Sequence, residues 1–326
     1  MEDYAHRYPL KLAFVPKTAL WGGETLKENY GKACDCTPLA ETWELSVREA
    51  ENSMIENGPA AGMLLGQYFE DYGRALLGTR AVGDRFPLLI KFIDAAAPLS
   101  VQVHPADAYA IAHEGDLGKT EMWVVLEAAP DATLICGLKP GLTADDLAAA
   151  VRSGDTERAL ERVSVKAGDV VFIPAGMPHA IGGGILLAEI QQSSDVTYRL
   201  YDYGRLDKDG RPRPLHVEKA LAVSRPYRAD EVEAIRFSRF LPSDEEEMET
   251  LAACDYFCVR RCELDGKQLL SVTEESFLHI LCTDGEGEIV YERESYPFEK
   301  GDSYFLPAGL GEIKLRGEAT LLLTTL

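Results

Sequence analysis

The chain has 326 residues, room for two domains of ordinary size, and its 46% hydrophobic content can fill substantial cores. A net charge of −21 opposes nucleic acid and anionic membranes as partners, so an anionic substrate would depend on Lys and Arg gathered locally. Apolar stretches such as 186–188 and 321–323 are far too short to span a bilayer. Residues 1–12 mix charged and aromatic side chains with no apolar run of secretory type, which predicts a cytoplasmic protein. The seven Cys fit that compartment as reduced thiols: Cys34 and Cys36 form a lone CxC without a second pair at zinc-ribbon spacing. Cys254, Cys258 and Cys262 recur every fourth residue in a β-rich stretch, a spacing that places them on one face.

Taken in order, the predicted elements are mostly strands. Residues 86–93 form an apolar run that ends in Asp94. Residues 99–104 alternate as LSVQVH, with Leu99, Val101 and Val103 on one face and Ser100, Gln102 and His104 on the other. Residues 122–127 and 132–136 read as strands about a turn at 129–131. Residues 143–163 differ. Thr143 is a helix N-cap with Asp146 three residues on, and the alanine-rich periodicity predicts one or two short helices broken near Ser153 and Gly154. Strands resume at 170–173 and 184–191, and 204–214 is a loop rich in Gly, Pro and charge. The acidic run 244–249 reads as a solvated face. Residues 277–281, 285–291 and 296–298 repeat a strand–turn–strand cadence.

An internal repeat sets the architecture. Residues 167–176 read AGDVVFIPAG and residues 300–309 read KGDSYFLPAG, each with a Gly-Asp turn feeding a strand that exits at Pro-Ala-Gly. The first copy continues into G-x5-P-x-G-x2-H, from Gly168 to His179, which resembles the second sequence motif of the cupin superfamily. The fold class expected is mainly β: two cupin-type (jelly-roll) β-barrels in tandem, with a small helical segment at about 143–163 inserted in the first. The expected domains are 1–235, catalytic and metal-binding, and 236–326, cupin-like without metal ligands.

Gln102 and His104 stand two apart on the polar face of one strand, so their side chains share one space, and Glu121 opens the next segment. With His179 they offer an amide oxygen, two imidazoles and a carboxylate, a set that suits Zn²⁺, with Fe²⁺ and Mn²⁺ also compatible. The repeat is an internal control, because Glu312 stands where His179 would fall and no HxH or QxH precedes it. His113, His216 and His279 read as surface or packing residues.

Longer segments carry a more specific resemblance. PLLIKFIDAAAPLSVQVHP (87–105), GKTEMWVV (118–125), GDVVFIPAGMPHAI (168–181) and LLAEIQQSSDVTYRLYDYGR (186–205), with ALWGG (19–23) and ETWELS (41–46), resemble type I mannose-6-phosphate isomerase in its short bacterial form. The resemblance is strong over about residues 8–210 and holds in outline beyond. It implies an aldose–ketose isomerase that interconverts mannose 6-phosphate and fructose 6-phosphate through a cis-enediol, with one zinc per chain. It places the metal ligands on Gln102, His104, Glu121 and His179 and the active-site arginine on Arg199. Lys91, Ser100 and Lys119 match positions that handle the phosphate or the sugar oxygens. Glu189 is the first choice for the base, with Lys119 and a metal-bound water as rivals; an ion pair with Arg199 is the bland alternative for Glu189. Lys91, Ser100, Lys119 and Arg199, with Arg205, would form the basic pocket that the overall charge demands. Two other classes fit the cupin motif. A metal-dependent oxygenase would need oxygen, and a non-catalytic sugar-phosphate-binding module would show no turnover.

Overall fold

A computed structural model describes residues 7–206, 209–239 and 248–326. The chain is mainly β, with few and short helices, and among the described residues none is long and apolar enough to cross a membrane. The strands form three sheets, and every recorded pairing within them is antiparallel. A six-stranded sheet runs Val170–Ile173, Glu121–Ala128, Ile185–Gln192, Leu88–Ala95, Glu41–Leu45 and Val15–Lys17 in spatial order. A five-stranded sheet runs Tyr198–Tyr201, Val101–Val103, His179–Ile181, Thr133–Leu138 and Leu160–Ser164. The third sheet joins the C-terminal strands, among them Cys258–Val272, Leu278–Tyr291 and Gly311–Thr325, to the N-terminal strand Leu10–Ala13. That last pairing sets Leu10 against Phe305, so the start of the chain is stitched into the sheet built by its end.

The six-stranded sheet lies between the other two because its strands are buried on both faces. Leu88–Ala95 and Ile185–Gln192 are buried at every position, the pattern of central strands covered on each side. Period-two alternation then divides the residues. Ile90, Phe92, Met122, Val124, Ala188 and Ile190 share a core with Leu281, Phe305 and Leu322 of the C-terminal sheet. Ile93, Trp123, Val125 and Leu187 face the other way, into a core with Leu134 and Ile181 of the five-stranded sheet. A one-residue slip of any central strand would exchange these faces. Trp123 is fully buried, and its truncation to Ala would cost roughly 3–5 kcal/mol.

The repeat is structural. Gly168 and Gly301 both hold positive φ, at 92° and 98°, which a side chain would strain. In each copy the following aspartate caps its own turn, Asp169 accepting from the Lys166 N–H at 2.9 Å and Asp302 from the Glu299 N–H at 3.0 Å. The strands Val170–Ile173 and Ser303–Leu306 follow.

Some elements differ from the sequence reading. Thr143 caps the helix Ala144–Arg152 with Asp146 as expected, but a strand, Leu160–Ser164, begins inside the segment read as helical. Pairing of Thr133 with Ser164 and Leu134 with Val163 outweighs the local periodicity there. Residues 278–291 form one long strand where two were expected, with a register shift between Cys282 and Asp284 at the expected break. Cys254 precedes a hairpin and Cys262 joins a different core, so the three cysteines do not share one face. All seven thiols are unpaired. Of the acidic run 244–249, positions 244–247 lie outside the described residues, as do positions 1–6 of the N-terminal stretch.

Candidate metal centre and active site

The site forms where the six- and five-stranded sheets face each other. Across the five-stranded sheet, Arg199 stands opposite Gln102, and Gln102 opposite His179. Cross-strand partners project to the same side, so these three line one wall, and His104 follows Gln102 by two. Across the six-stranded sheet, Lys91 stands opposite Glu189 and Glu189 opposite Trp123, while Glu121 lies two residues before Trp123. The strand alternation and the antiparallel registers thus bring Lys91, Gln102, Glu121, His179, Glu189 and Arg199 together, and Ser100, His104 and Lys119 flank the ends of those strands.

His104, Glu121 and His179 are 1%, 0% and 0% exposed, and one ligand atom from each lies within 4.8 Å of the others. His104 Nε2 is 3.5 Å from Glu121 Oε2, and His179 Nε2 is 3.3 Å from Glu121 Oε1. Each imidazole is 2.9 or 2.8 Å from a backbone carbonyl through Nδ1, His104 to Val196 and His179 to Met177. Donation from Nδ1 assigns the tautomer and leaves both Nε2 lone pairs aimed at the carboxylate, as in metal-ligating histidines. Burial, reinforced for His104 by Lys119, drives both imidazoles below their ordinary range, His179 to about 4, so both are neutral donors at pH 7. The carboxylate oxygens of Glu121 and the Nε2 of His179 are buried without a hydrogen bond. Lys119 Nζ approaches Glu121 Oε2 at 2.5 Å, an ion pair without hydrogen-bond angles, and lies 3.2 Å from His104 Nε2. The Lys119 ammonium thus lies against two of the three donor residues. Three orphaned buried donor atoms and this donor set fit a divalent ion.

Lys119 reaches the site on an irregular segment whose backbone it ties to the Pro105 carbonyl at 3.0 Å. A side chain at Gly118 would lie 2.4 Å from the Asp107 backbone nitrogen, so the close approach requires glycine.

A chain of alternating charges leads outward. Glu189 accepts from the Trp123 indole N–H at 3.1 Å and pairs with Lys91 at 3.1 Å and Lys119 at 3.7 Å. Lys91 also pairs with Glu41 at 3.4 Å, and Glu41 accepts from the Trp43 indole at 2.8 Å. Burial pushes the Glu189 carboxyl up, but Lys119 and Lys91 outweigh it and hold Glu189 well below the usual range. Burial likewise lowers Lys91, and Glu189 and Glu41 reverse the sign and raise it. Glu121, where burial outweighs Lys119, is pushed up to about 8. A drift of Glu189 toward neutrality, expected for a carboxylate in a dry pocket, is therefore not what its neighbours produce. Its partners are the two lysines rather than Arg199. The Arg199 guanidinium donates instead to Ser100 Oγ at 3.3 Å and to the Pro214 carbonyl at 2.9 Å. Burial, then Arg213, lowers its pKa.

Lys91, Ser100, Gln102, Lys119, Glu189 and Arg199 line one cleft of about 340 Å³, the size of a small-molecule site. Sequence reasoning missed Glu41, Trp43 and Arg213 on its walls. Glu41 and Trp43 alternate within ETWELS and were readable as one strand face; Arg213 sits in an aperiodic loop that gave no signal. His216, expected to be a bystander, accepts from the Arg199 N–H at 3.1 Å and steadies its backbone. His113 is exposed, and His279 is enclosed in the C-terminal sheet with Nε2 2.9 Å from Ser303 Oγ.

Fold and site together define a mainly β enzyme framework with a buried His/Glu/His cluster that could hold a metal beside a basic cleft. Two family models match: "Phosphomannose isomerase type I, catalytic domain" over residues 10–124 and "Mannose-6-phosphate isomerase, cupin domain" over residues 247–326. The chain is 39% identical over 319 residues to "Mannose-6-phosphate isomerase ManA" of Bacillus subtilis, covering 98% of this chain and 99% of that one. It is 34% identical to a mannose-6-phosphate isomerase of Streptococcus mutans, covering 96% and 97%. The crystal structure of the Bacillus subtilis mannose 6-phosphate isomerase superposes with a TM-score of 0.86 at 33% identity, covering 97% and 99%. A mutant of phosphomannose isomerase from Salmonella typhimurium, at 19% identity and a TM-score of 0.75, shares the fold. The chain belongs to the type I phosphomannose isomerase family.

Proposed function

We propose that this chain interconverts mannose 6-phosphate and fructose 6-phosphate, with one zinc ion held by Gln102, His104, Glu121 and His179. The observation that carries the reading is the buried Glu121 carboxylate, unbonded and facing two unprotonated Nε2 atoms, with Gln102 and Arg199 in cross-strand register beside it. When bound, zinc supplies a Lewis acid that stabilises negative charge on a substrate oxygen.

The protein's own groups do the rest. Isomerisation moves a proton between C2 and C1 through a cis-enediol, and negative charge grows on the carbonyl oxygen. Arg199, fixed by Ser100 and Pro214, offers a preoriented guanidinium to that charge. Glu189 is the base: it is ionised and therefore always able to accept. Its proton affinity rises when an anionic substrate draws Lys91 or Lys119 away from it. Lys119, between Glu121 and Glu189, steadies the Glu189 carboxylate that takes the proton from one carbon and returns it to the other. Lys91, Ser100, Lys119 and Arg199 bind the substrate's oxygens.

We place this chemistry in the first of two tandem cupin-type units, residues 1–235, with the helix Ala144–Arg152 as its insertion. The unit at 236–326 buttresses it through the shared core. We place the metal ligands in the first unit only. Seven free thiols fit the cytoplasm.

The test is metal analysis of the purified chain, with a coupled assay on mannose 6-phosphate before chelation, after it, and after return of Zn²⁺, Mn²⁺ or Fe²⁺. Zinc at about one per chain and activity restored by zinc support the reading. Undiminished turnover in stripped protein refutes it.

A further inference from the structure

The strand Tyr198–Tyr201 ends at Asp202, and the chain turns through Tyr203 and Gly204, both at positive φ. Leu206 bridges to Pro212, and the returning segment docks on the strand, His216 N–H donating to the Arg199 carbonyl at 2.8 Å. Arg213 is thereby carried back to the wall of the cleft that also holds Arg199. Asp202, 5% exposed, accepts from Arg213 through both oxygens, Nε to Oδ2 at 2.7 Å and Nη2 to Oδ1 at 2.5 Å. Its Oδ1 also accepts from Arg205 Nε at 3.1 Å, while Arg205 Nη1 bonds the Pro98 carbonyl.

Two guanidiniums thus hold one carboxylate, and Arg199 shares the cleft wall with Arg213. The metal end of the cleft is nearly balanced, since Lys91 and Lys119 face Glu41, Glu189 and Glu121. The arginine end is not balanced: Asp202 offsets one of its cations and leaves two. Asp195 also lines the cleft, and counting it the wall remains net positive. Arg213 Nη1 and Arg199 Nη2 have no hydrogen-bond acceptor among the described residues. Asp202 uses one edge of the Arg213 fork, so the guanidinium is fixed with its other edge free to bind a planar or tetrahedral anion.

We propose that Arg213, oriented by Asp202, is a substrate-binding residue that grips the phosphate of the sugar phosphate in this cleft. The proposal rests on the isomerase reading for the identity of the substrate. Arg213 touches the dianion; Asp202 is a positioning residue that keeps mutually repelling arginines together.

The experiment compares wild type with Arg213→Ala, Arg213→Lys and Asp202→Asn, using steady-state kinetics on mannose 6-phosphate, competitive inhibition by inorganic phosphate, and calorimetric titration with phosphate. Loss of a charge-assisted bidentate contact should raise KM and the phosphate inhibition constant together by about 10–100-fold in Arg213→Ala, with a much smaller fall in kcat. Arg213→Lys, which keeps the charge but loses the fork, should fall between. Asp202→Asn should track Arg213→Ala in both constants. A merely structural role would lower the melting temperature and kcat while leaving KM and the phosphate constant in place. Constants within twofold of wild type in folded Arg213→Ala overturn the proposal. If Asp202→Asn does not fold, the two Arg213 variants decide. If wild type itself shows no turnover, the isomerase reading fails, and phosphate calorimetry on wild type against Arg213→Ala still decides the role of Arg213.

Discussion

Metal removal should cost this protein stability in a way the site makes calculable. Both Glu121 oxygens and His179 Nε2 are buried without hydrogen bonds. A buried polar atom left unsatisfied costs about 1–3 kcal/mol, so occupancy by a divalent ion returns roughly 3–9 kcal/mol across the three. Unfolding entropy of about 2.1 cal/mol/K per residue gives roughly 0.7 kcal/mol/K for a chain of 326 residues. The melting temperature should therefore rise by about 4–13 °C when zinc is returned to chelator-treated protein. The assay is differential scanning fluorimetry of stripped protein, with and without zinc, alongside metal analysis. Glu121→Gln should lose most of this shift, because a neutral amide cannot balance the cation that two imidazoles leave charged. Stripped and reloaded proteins that melt within about 1 °C of one another, with zinc confirmed in the reloaded sample, would refute the reasoning.

Arg199→Ala should lower kcat by about 100-fold or more while metal content stays near one per chain; near-normal turnover would remove Arg199 from the chemistry. His279, fully buried, is pushed down to about 3 by burial. The unfolded chain takes up a proton below pH 6.5 that the folded chain refuses, so stability present above that pH is lost on acidification toward pH 3. At pH 5 this loss amounts to about 2 kcal/mol. Urea midpoints at pH 7.5 and pH 5 should then differ less in His279→Gln than in wild type, and parallel acid limbs would count against the assignment. Turnover should be equal in air and under anaerobic conditions, since nothing in an isomerisation consumes oxygen; an oxygen requirement would return the oxygenase reading.

The parts of the site legible in the sequence were those fixed by strand alternation. LSVQVH placed Ser100, Gln102 and His104 on one face before any partner strand was known, because period-two geometry is local. His179 was legible through the Gly-Asp turn and Pro-Ala-Gly exit, which recur with the same capping aspartate in both copies. What could not be read was relative position across strands. The register that sets Arg199 opposite Gln102 depends on long-range pairing, and the partners of Glu189 depend on which residues of neighbouring strands share its row. The helix boundary failed for a similar reason: 160–163 follows its sheet partner rather than its own periodicity. Arg213 was invisible because a loop of Gly, Pro and charge has no period, and only docking on Arg199 gives it a place.

The charge distribution explains how a chain of net −21 can hold a dianion. Elsewhere the lysines and arginines are mostly matched one to one with carboxylates, as in Lys11 with Asp302 at 2.7 Å and Lys17 with Glu51 at 2.7 Å. Such partly buried, charge-matched pairs leave no net charge to act on a substrate. Excess positive charge is concentrated where Asp202 alone faces Arg205 and Arg213 beside Arg199. With a screening length of roughly 8 Å at physiological salt, carboxylates farther than that from the cleft are felt on approach more than by a bound substrate. Substrate capture should therefore be faster at moderate ionic strength than at low salt, where the global field dominates, and weaken again at high salt as the arginine cluster is screened. A capture rate that falls monotonically from the lowest salt would mean that the local cluster governs the approach as well as the bound state.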